Sequence, residues 1–368
     1  MKRSLLFLCL LSSIVLSVYP SEKVFASEDI KVIGVGEYTF SYPELKTTVF
    51  GERLSGKGAA IREIARNEYV APTDAEVVFS PDKKEKFTFS HEKSGKAVDE
   101  EKLSDDISAA LSVGGGTISL GYKTVLPSVT EKELRAQTFE RARFTTYFKN
   151  TAPERINNVR LAARSVSGSV IESGEIFSFN ETVGERSEKR GYMSAKIIKD
   201  GKFEDGLGGG VCQVSTTLYN ACLLAGLTIE EYHPHTLSVS YIENSFDAMV
   251  NYGSADLKIK NDTGGKIFIA AYVDDNSVSF VLYGIKSDAH ISRYSETEKI
   301  VKAKSETVFS DELPLNEEIE IVRPKDGAVS KGYLIIKKDG KTVKKLIRSD
   351  NYKPVDGVTK KGSASAEP

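Results

Sequence analysis

The stretch GLGGGVCQVSTTLYNACLLAGL, residues 206–227, constrains the fold more than any other part of this chain. Three successive glycines let the backbone turn freely, and the residues after them repeat with a helical period. A helix is expected over 211–227, with Val214, Leu218, Ala221, Cys222 and Ala225 on one core-facing stripe. Cys222 lies on that stripe and reads as a small buried apolar residue. Cys212 lies off it, in line with Ser215, Thr216 and Tyr219, a polar-leaning side. It falls in the first turn, where backbone N–H groups have no helical partner and the dipole favours a thiolate. The same N–H groups can hold the oxyanion of a tetrahedral intermediate. Gly208, Gly209 and Gly210 would let a substrate approach the backbone, and Gln213 is a further candidate donor. These features suit a nucleophile, and they equally suit a free small residue beside a turn.

The rest of the chain narrows the choice. Its 368 residues suggest two or three domains. A formal net charge of −2 with no basic run excludes nucleic acid as a partner. Lys2 and Arg3 precede the apolar run Leu5–Val18, and Val24-Phe25-Ala26 offers a cleavage site. Residues 1–26 therefore read as a secretory signal peptide, the alternative being an uncleaved N-terminal membrane anchor. Leu-Phe-Leu before Cys9 lacks the small residues of a lipidation site. No other long apolar run occurs, so a soluble, secreted, extracytoplasmic body with no further membrane insertion is expected. That body keeps only Cys212 and Cys222. Ten residues of one helix would separate their Cα atoms by about 15 Å, whereas a disulfide needs less than about 7 Å. Cys212 should stay a free thiol.

Residues 28–140 read as an α+β region, with short strands at KVIGVGEYTFSY, AEVVFS, EKFTFSHE and TISLGYKTV. Between them a helix carries Leu103, Ile107, Ala110 and Leu111 on one face and stops at Gly114-Gly115-Gly116. Its one histidine, His91, sits in a charged stretch and reads as a surface residue. Residues 144–286 hold a helix with Ile156, Val159, Ala163 and Val166 on one stripe, closed by Gly168. A long loop with Arg186 and Arg190 follows, then a hairpin turning at Asp200-Gly201, the glycine-led helix, and successive strands from HTLSVSYI to SVSFVLYG. Helices followed by an antiparallel run make the class α+β, a mixed helix and antiparallel-sheet central domain with flanking modules. Residues 290–362 read as a small, mostly β module for binding or spacing, with a hairpin at Lys338–Lys341, and 363–368 as a disordered tail.

A cysteine nucleophile usually needs a base. His233 and His235 stand two apart in a segment expected to be extended, so both would face one way, with Leu237, Val239 and Tyr241 in the same phase. Asp247 could orient an imidazole or cap a turn. The histidine pair could hold a metal, but no third ligand stands at a recognisable spacing, so neither metal nor other cofactor is expected. Arg186 or Arg190 could grip a substrate carboxylate bidentately or remain a solvated charge.

SGEIFSFNETVG, RGY, the glycine–cysteine stretch, HPHTLSVSY and DAMVNYGSADLKIKNDT resemble, in order, the signature of the VanW domain, a bacterial family named after a vancomycin-resistance accessory protein. The resemblance covers roughly 144–286. Residues 87–136 look like the peptidoglycan-binding domain that often precedes VanW, and 295–362 resemble a G5 domain. Some VanW proteins are assigned L,D-transpeptidase activity, so the resemblance implies a cell-wall enzyme acting on peptidoglycan stem peptides and glycan. It maps the nucleophile to Cys212 and prefers His235 over His233 as base, with Asp247 beside it. Gly209, Gly210, Gln213, Ser215, Thr216, Arg190 and Tyr192 are the expected oxyanion and substrate-binding residues. Where the family commonly has Gly-Arg-Asp-Ala-Thr-Val, this chain has Ser245-Phe246-Asp247-Ala248-Met249-Val250, so Phe246 replaces an arginine. The competing expectation is a non-catalytic peptidoglycan-binding or antibiotic-resistance accessory protein.

Overall fold

The computed structural model describes residues 28–41, 56–148, 151–199 and 202–364. The expected signal peptide and the turn residues Asp200 and Gly201 lie outside these residues. The chain divides into two compact units, one comprising the residues up to Asp74 together with Glu92–Ser128, the other Ala75–His91 and Val129 onward.

The first unit contains β1 (Ile30–Ile33), β2 (Glu37–Phe40) and α1 (Gly56–Glu68). The chain then forms the hairpin β3 (Val77–Phe79) and β4 (Phe87–Phe89) of the second unit. It returns with β5 (Gly95–Val98), α2 (Glu100–Val113), β6 (Gly116–Ser119) and β7 (Tyr122–Val125). β1 pairs antiparallel with β2 and parallel with β6, and β5 pairs with β7. α2 is the helix expected from its apolar spacing. Asp99 caps it by accepting from the Lys102 N–H, Leu103, Ile107 and Ala110 are buried, and Gly114 ends it at φ 94°. α1 buries Ala60, Ile61 and Ile64 on one face in the same core cluster as Ile30, Val32 and Ile107. Glu68, at its end, is buried and accepts from the Gly36 N–H (2.7 Å) and the Tyr122 hydroxyl (2.7 Å).

The second unit continues with α3 (Glu131–Arg135), β8 (Phe139–Tyr147), α4 (Pro153–Val166), β9 (Val170–Ile171), β10 (Ile176–Ser178) and α5 (Phe179–Val183). Next come β11 (Ser194–Lys199), β12 (Lys202–Leu207), α6 (Val211–Ala225), β13 (Thr228–Glu231), β14 (Lys258–Lys260), β15 (Ile267–Val273) and β16 (Ser277–Gly284). The central sheet runs β8-β16-β15-β9, all antiparallel. Its alternation sends Ile267, Ile269, Val278, Phe280 and Leu282 to the core that holds α4 and α6. Phe268, Ala270, Val281 and Tyr283 point the other way and meet Val77, Phe79 and Phe87 of the β3–β4 hairpin. Residues 28–140 are therefore not one domain, because the aromatic face of that hairpin is buried on the second unit's sheet.

The sequence suggests strands at HTLSVSYI and AMVNYG, and here the structure differs. Apart from a bridge between Asn251 and Ala255, residues 232–257 form no strand. Their backbone groups bond instead to side chains of α6: the Ala248 N–H donates to Thr216 Oγ1 (2.9 Å), the Ala248 carbonyl accepts from Ser215 Oγ (2.6 Å), and the Phe246 carbonyl accepts from Asn220 Nδ2 (2.8 Å). The polar side of α6 is thus as buried as its apolar stripe.

The C-terminal module has two sheets. β17 (His290–Val301), β20 (Gly327–Lys338) and β21 (Lys341–Tyr352) form one; β18 (Ser305–Pro314), β22 (Gly357–Ala364) and β19 (Glu318–Val322) form the other. The expected β20–β21 hairpin turns through Asp339 (φ 51°) and Gly340 (φ 71°). β22 reaches Ala364, opposite Pro314, so Ser363 and Ala364 belong to a strand and not to a disordered tail. Leu334 joins the main core, with Ile291, Ile336 and Ile347 packed against it. A module that shares the core is no spacer.

Candidate active site

α6 begins where the glycines allow. Gly208 (φ 79°) and Gly210 (φ 108°) take left-handed conformations, and Gly210 caps the helix. The close approach these glycines permit is to the protein itself, contrary to the expected substrate role of Gly209 and Gly210. A Cβ on Gly209 would meet Ala195 at 2.8 Å, and one on Gly210 would meet Val159 at 2.9 Å and Arg155 at 3.0 Å. The Val211 N–H donates to the Gly208 carbonyl (3.1 Å) and the Gln213 N–H to the Gly210 carbonyl (3.0 Å). Between them stands the Cys212 N–H, in the first turn of α6.

Cys212 is a free, half-buried thiol whose Sγ lies 3.5 Å from the Val250 carbonyl, while Cys222 is fully buried. The His235 side chain lies beside the Cys212 thiol and acts on its charge. Its Nδ1 lies 2.7 Å from Asp247 Oδ2, which also accepts from the His235 N–H at 2.6 Å, so Nε2 is the nitrogen left for sulfur. Burial pushes the Cys212 thiol up, but His235 and the charge of Arg186 more than offset this and hold it below the ordinary thiol value. Burial alone would push His235 down; Asp247 and Cys212 raise it to about 9. Asp247 is held below the usual carboxylate range, against burial, by His235 and Arg348. The geometry favours a thiolate–imidazolium pair oriented by a carboxylate.

His233 takes no part. The irregular course of its segment turns it away, and its Nε2 lies 2.9 Å from Glu231 Oε1. Several expected substrate contacts are structural instead. Gln213 is 1% exposed; its amide donates to Thr146 Oγ1 (3.0 Å) and accepts from Arg155 (2.8 Å). Ser215 and Thr216 are fully buried against Ala248 and cannot touch a substrate. Arg190 is exposed, bonded to the Glu185 carbonyl. Tyr192 is 3% exposed, with its hydroxyl unpartnered among the described residues. Phe246 is 1% exposed and faces the C-terminal module, under the Arg293 guanidinium 4.5 Å from its ring.

The cations near the thiol are Arg186 and Arg155. Their hydrogen bonds go to neutral groups, Arg186 to Asn180 Oδ1 (2.8 Å) and the Gly184 carbonyl (3.1 Å), Arg155 to Gln213. Burial lowers both guanidinium values. Tyr241, also pushed up by burial and by the Cys212 charge, lies within the same field. Arg155 gave no signal in the sequence, being one basic residue on a helix of ordinary pattern.

Two segments of the chain match described protein families. Residues 154–283 match the family model described as "VanW like protein", and residues 58–119 match "Putative peptidoglycan binding domain". The second match begins earlier than the expected 87–136 and takes in α1. The chain is 38% identical over 194 residues to the uncharacterized protein YoaR of Bacillus subtilis, covering 52% of this chain and 62% of YoaR. It is 32% identical over 129 residues to the vancomycin B-type resistance protein VanW of Enterococcus faecalis, covering 34% of this chain and 47% of that protein. The match thus spans roughly half of each relative's length. Two solved G5 domains, one from an IgA1 protease and one named HP0197-G5, each align with 21% of the chain, at TM-scores of 0.16 and 0.14 and identities of 14% and 19%. Residues 154–283, which include Cys212, His235 and Asp247, thus match the VanW-like family.

Proposed function

We propose that this is an exported cell-wall enzyme, a cysteine L,D-transpeptidase that forms 3→3 crosslinks in peptidoglycan. The peptidoglycan-binding and VanW-like matches support a cell-wall related, extracytoplasmic role. The observation that supports the chemistry is the buried His235–Asp247 hydrogen bond beside the half-buried Cys212 thiol, whose value His235 lowers.

The Cys212 thiolate attacks the carbonyl of the third, diamino residue of a donor tetrapeptide. The oxyanion accepts from the Cys212 N–H at the electropositive end of α6. As the tetrahedral species collapses, the C–N bond to the terminal D-alanine breaks and His235 Nε2–H protonates the departing amine. The side-chain amine of a second stem then gives its proton to His235 and attacks the thioester. The C–S bond breaks, the thiolate returns and a new amide remains. Water in place of that amine gives an L,D-carboxypeptidase. Arg186 and Arg155, desolvated and without a carboxylate partner among the described residues, suit a carboxylate of the donor stem.

A second reading, a non-catalytic wall-binding accessory protein, draws on the first unit. An open cleft of about 680 Å³ lies there, lined by Arg62, Glu63, Arg66 and Tyr69 among others, within the peptidoglycan-binding match. Muropeptide digests analysed by mass spectrometry separate the readings. Sacculi incubated with the protein should gain 3→3 dimers that are absent with Cys212→Ala; equal patterns for both would favour the accessory role.

A further inference from the structure

The Asp247 carboxylate has two oxygens, and only Oδ2 is engaged by the His235 side of the site. Oδ1 accepts from the Tyr352 hydroxyl at 2.6 Å and from Arg348 Nη2 at 3.2 Å, both on β21 of the C-terminal module. Arg348 Nη1 also donates to the Asp247 carbonyl at 2.5 Å, and its Nε to Asp350 Oδ2 at 2.6 Å. All four groups are buried. With His235 protonated, the row His235, Asp247, Arg348 and Asp350 alternates in sign and sums to zero charge. That balance is what lets ionised groups persist away from water.

The module also fixes the backbone that carries Asp247. Ser245 sits at φ 64°, a left-handed conformation that a residue with a side chain rarely adopts. Its N–H donates to the Tyr352 hydroxyl (2.7 Å), and its Oγ lies 2.6 Å from Ser330 Oγ on β20. Gly332 on β20 passes so close that a Cβ there would lie 2.6 Å from the Ser245 carbonyl oxygen. Next to His235, the Thr236 carbonyl accepts from the Lys353 N–H at 2.8 Å. α6 anchors the residues on either side of Asp247 through Asn220, Ser215 and Thr216; none of these touches the carboxylate.

We propose that the C-terminal module completes the active centre, with Arg348 and Tyr352 as positioning residues that hold the Asp247 carboxylate so that Oδ2 stays on His235. The module is then part of the catalytic unit, in addition to anything it binds. Without it the carboxylate can rotate, His235 loses its orienting acceptor, and Cys212 loses the imidazolium that favours its thiolate. The inference rests on the proposed thiolate–imidazolium centre, and its test separates the two.

The test is alkylation of Cys212 by iodoacetamide across pH, read by peptide mass, in full-length wild type, Tyr352→Phe and Arg348→Lys, with thermal unfolding recorded for each. Tyr352→Phe removes one oxygen and keeps the ring; Arg348→Lys keeps the charge and loses the fork that reaches Asp247 and Asp350 together. The expected result is a depressed thiol pKa in wild type and a rise in both variants, with alkylation near neutral pH slowed by about tenfold. If only Tyr352→Phe folds, it carries the test alone. A lowered melting temperature with an unchanged pH profile would overturn the positioning role and leave a structural one. A wild-type Cys212 that titrates like a free thiol would overturn the nucleophile reading itself, and the inference with it.

Discussion

His235 Nδ1 and Asp247 Oδ2 lie 2.7 Å apart, both residues almost wholly buried, on a segment with no regular secondary structure. A buried carboxylate against one imidazole nitrogen sets which nitrogen faces the thiol and stabilises the protonated ring. Asp247→Asn should keep much of the shape and lose the charge. Acylation of the protein by a tetrapeptide donor is expected to slow by about 100-fold or more. A rate within a factor of about two of wild type would show that the carboxylate does not act through His235.

The two titrations predict a bell-shaped pH profile. Cys212 is held below its ordinary value, so thiolate appears at a lower pH than in a free cysteine. His235 is raised to about 9, so the imidazolium needed to protonate the leaving amine is lost as pH rises through that value. Single-turnover release of D-alanine should therefore rise through the lower limb, hold a plateau, and fall near pH 9. In His235→Gln the upper limb should vanish along with most of the rate.

Arg155 and Arg186 flank the glycine loop before Cys212 and contribute to its field. If they hold a donor carboxylate, Arg155→Gln should raise KM for the tetrapeptide by about 10- to 100-fold, the value of one charge-assisted hydrogen bond. A donor with that carboxylate amidated should lose the difference between wild type and variant. Steady-state kinetics with paired donors measures this directly.

Glu68 in the first unit gives a prediction independent of catalysis. Burial pushes it up, but bonds from Tyr122, Gly36, Val35 and Tyr38 hold it at about 2, against an ordinary value near 4.5. A depressed carboxylate adds stability that is fully present above the unfolded value and lost as pH falls through the folded one. The melting temperature of the wild type should therefore fall between about pH 4.5 and pH 2. Glu68→Gln should cost about 2 kcal/mol or more near neutral pH and flatten this part of the acid dependence.

Much of the site was legible in residue types and local spacing, and its surroundings were not. The stripe Val214–Leu218–Ala221–Cys222–Ala225 announces α6, and the glycines before it announce its start. Local pattern left Cys212 between nucleophile and packing residue and did not choose between His233 and His235; the family resemblance supplied both preferences. Ser215, Thr216 and Gln213 misled because a polar helix face normally meets water; here it meets the backbone of 246–250 and the end of β8. The alternation Leu237, Val239, Tyr241 suggested a strand, yet the segment's neighbours are helix side chains and module residues, which offer no ladder. Arg348 and Tyr352 stand 101 and 105 residues beyond Asp247, and no local pattern connects them. Tertiary packing alone brings them there.

The central claim, that Cys212 is an acyl-accepting nucleophile, is tested most directly by intact mass spectrometry of the protein mixed with a tetrapeptide muropeptide. The wild type should gain the mass of the donor less D-alanine, localised to Cys212 and released by an amine acceptor, while Cys212→Ala gains nothing. The same adduct on Cys212→Ala, or none on a folded wild type whose thiol alkylates readily, would contradict it.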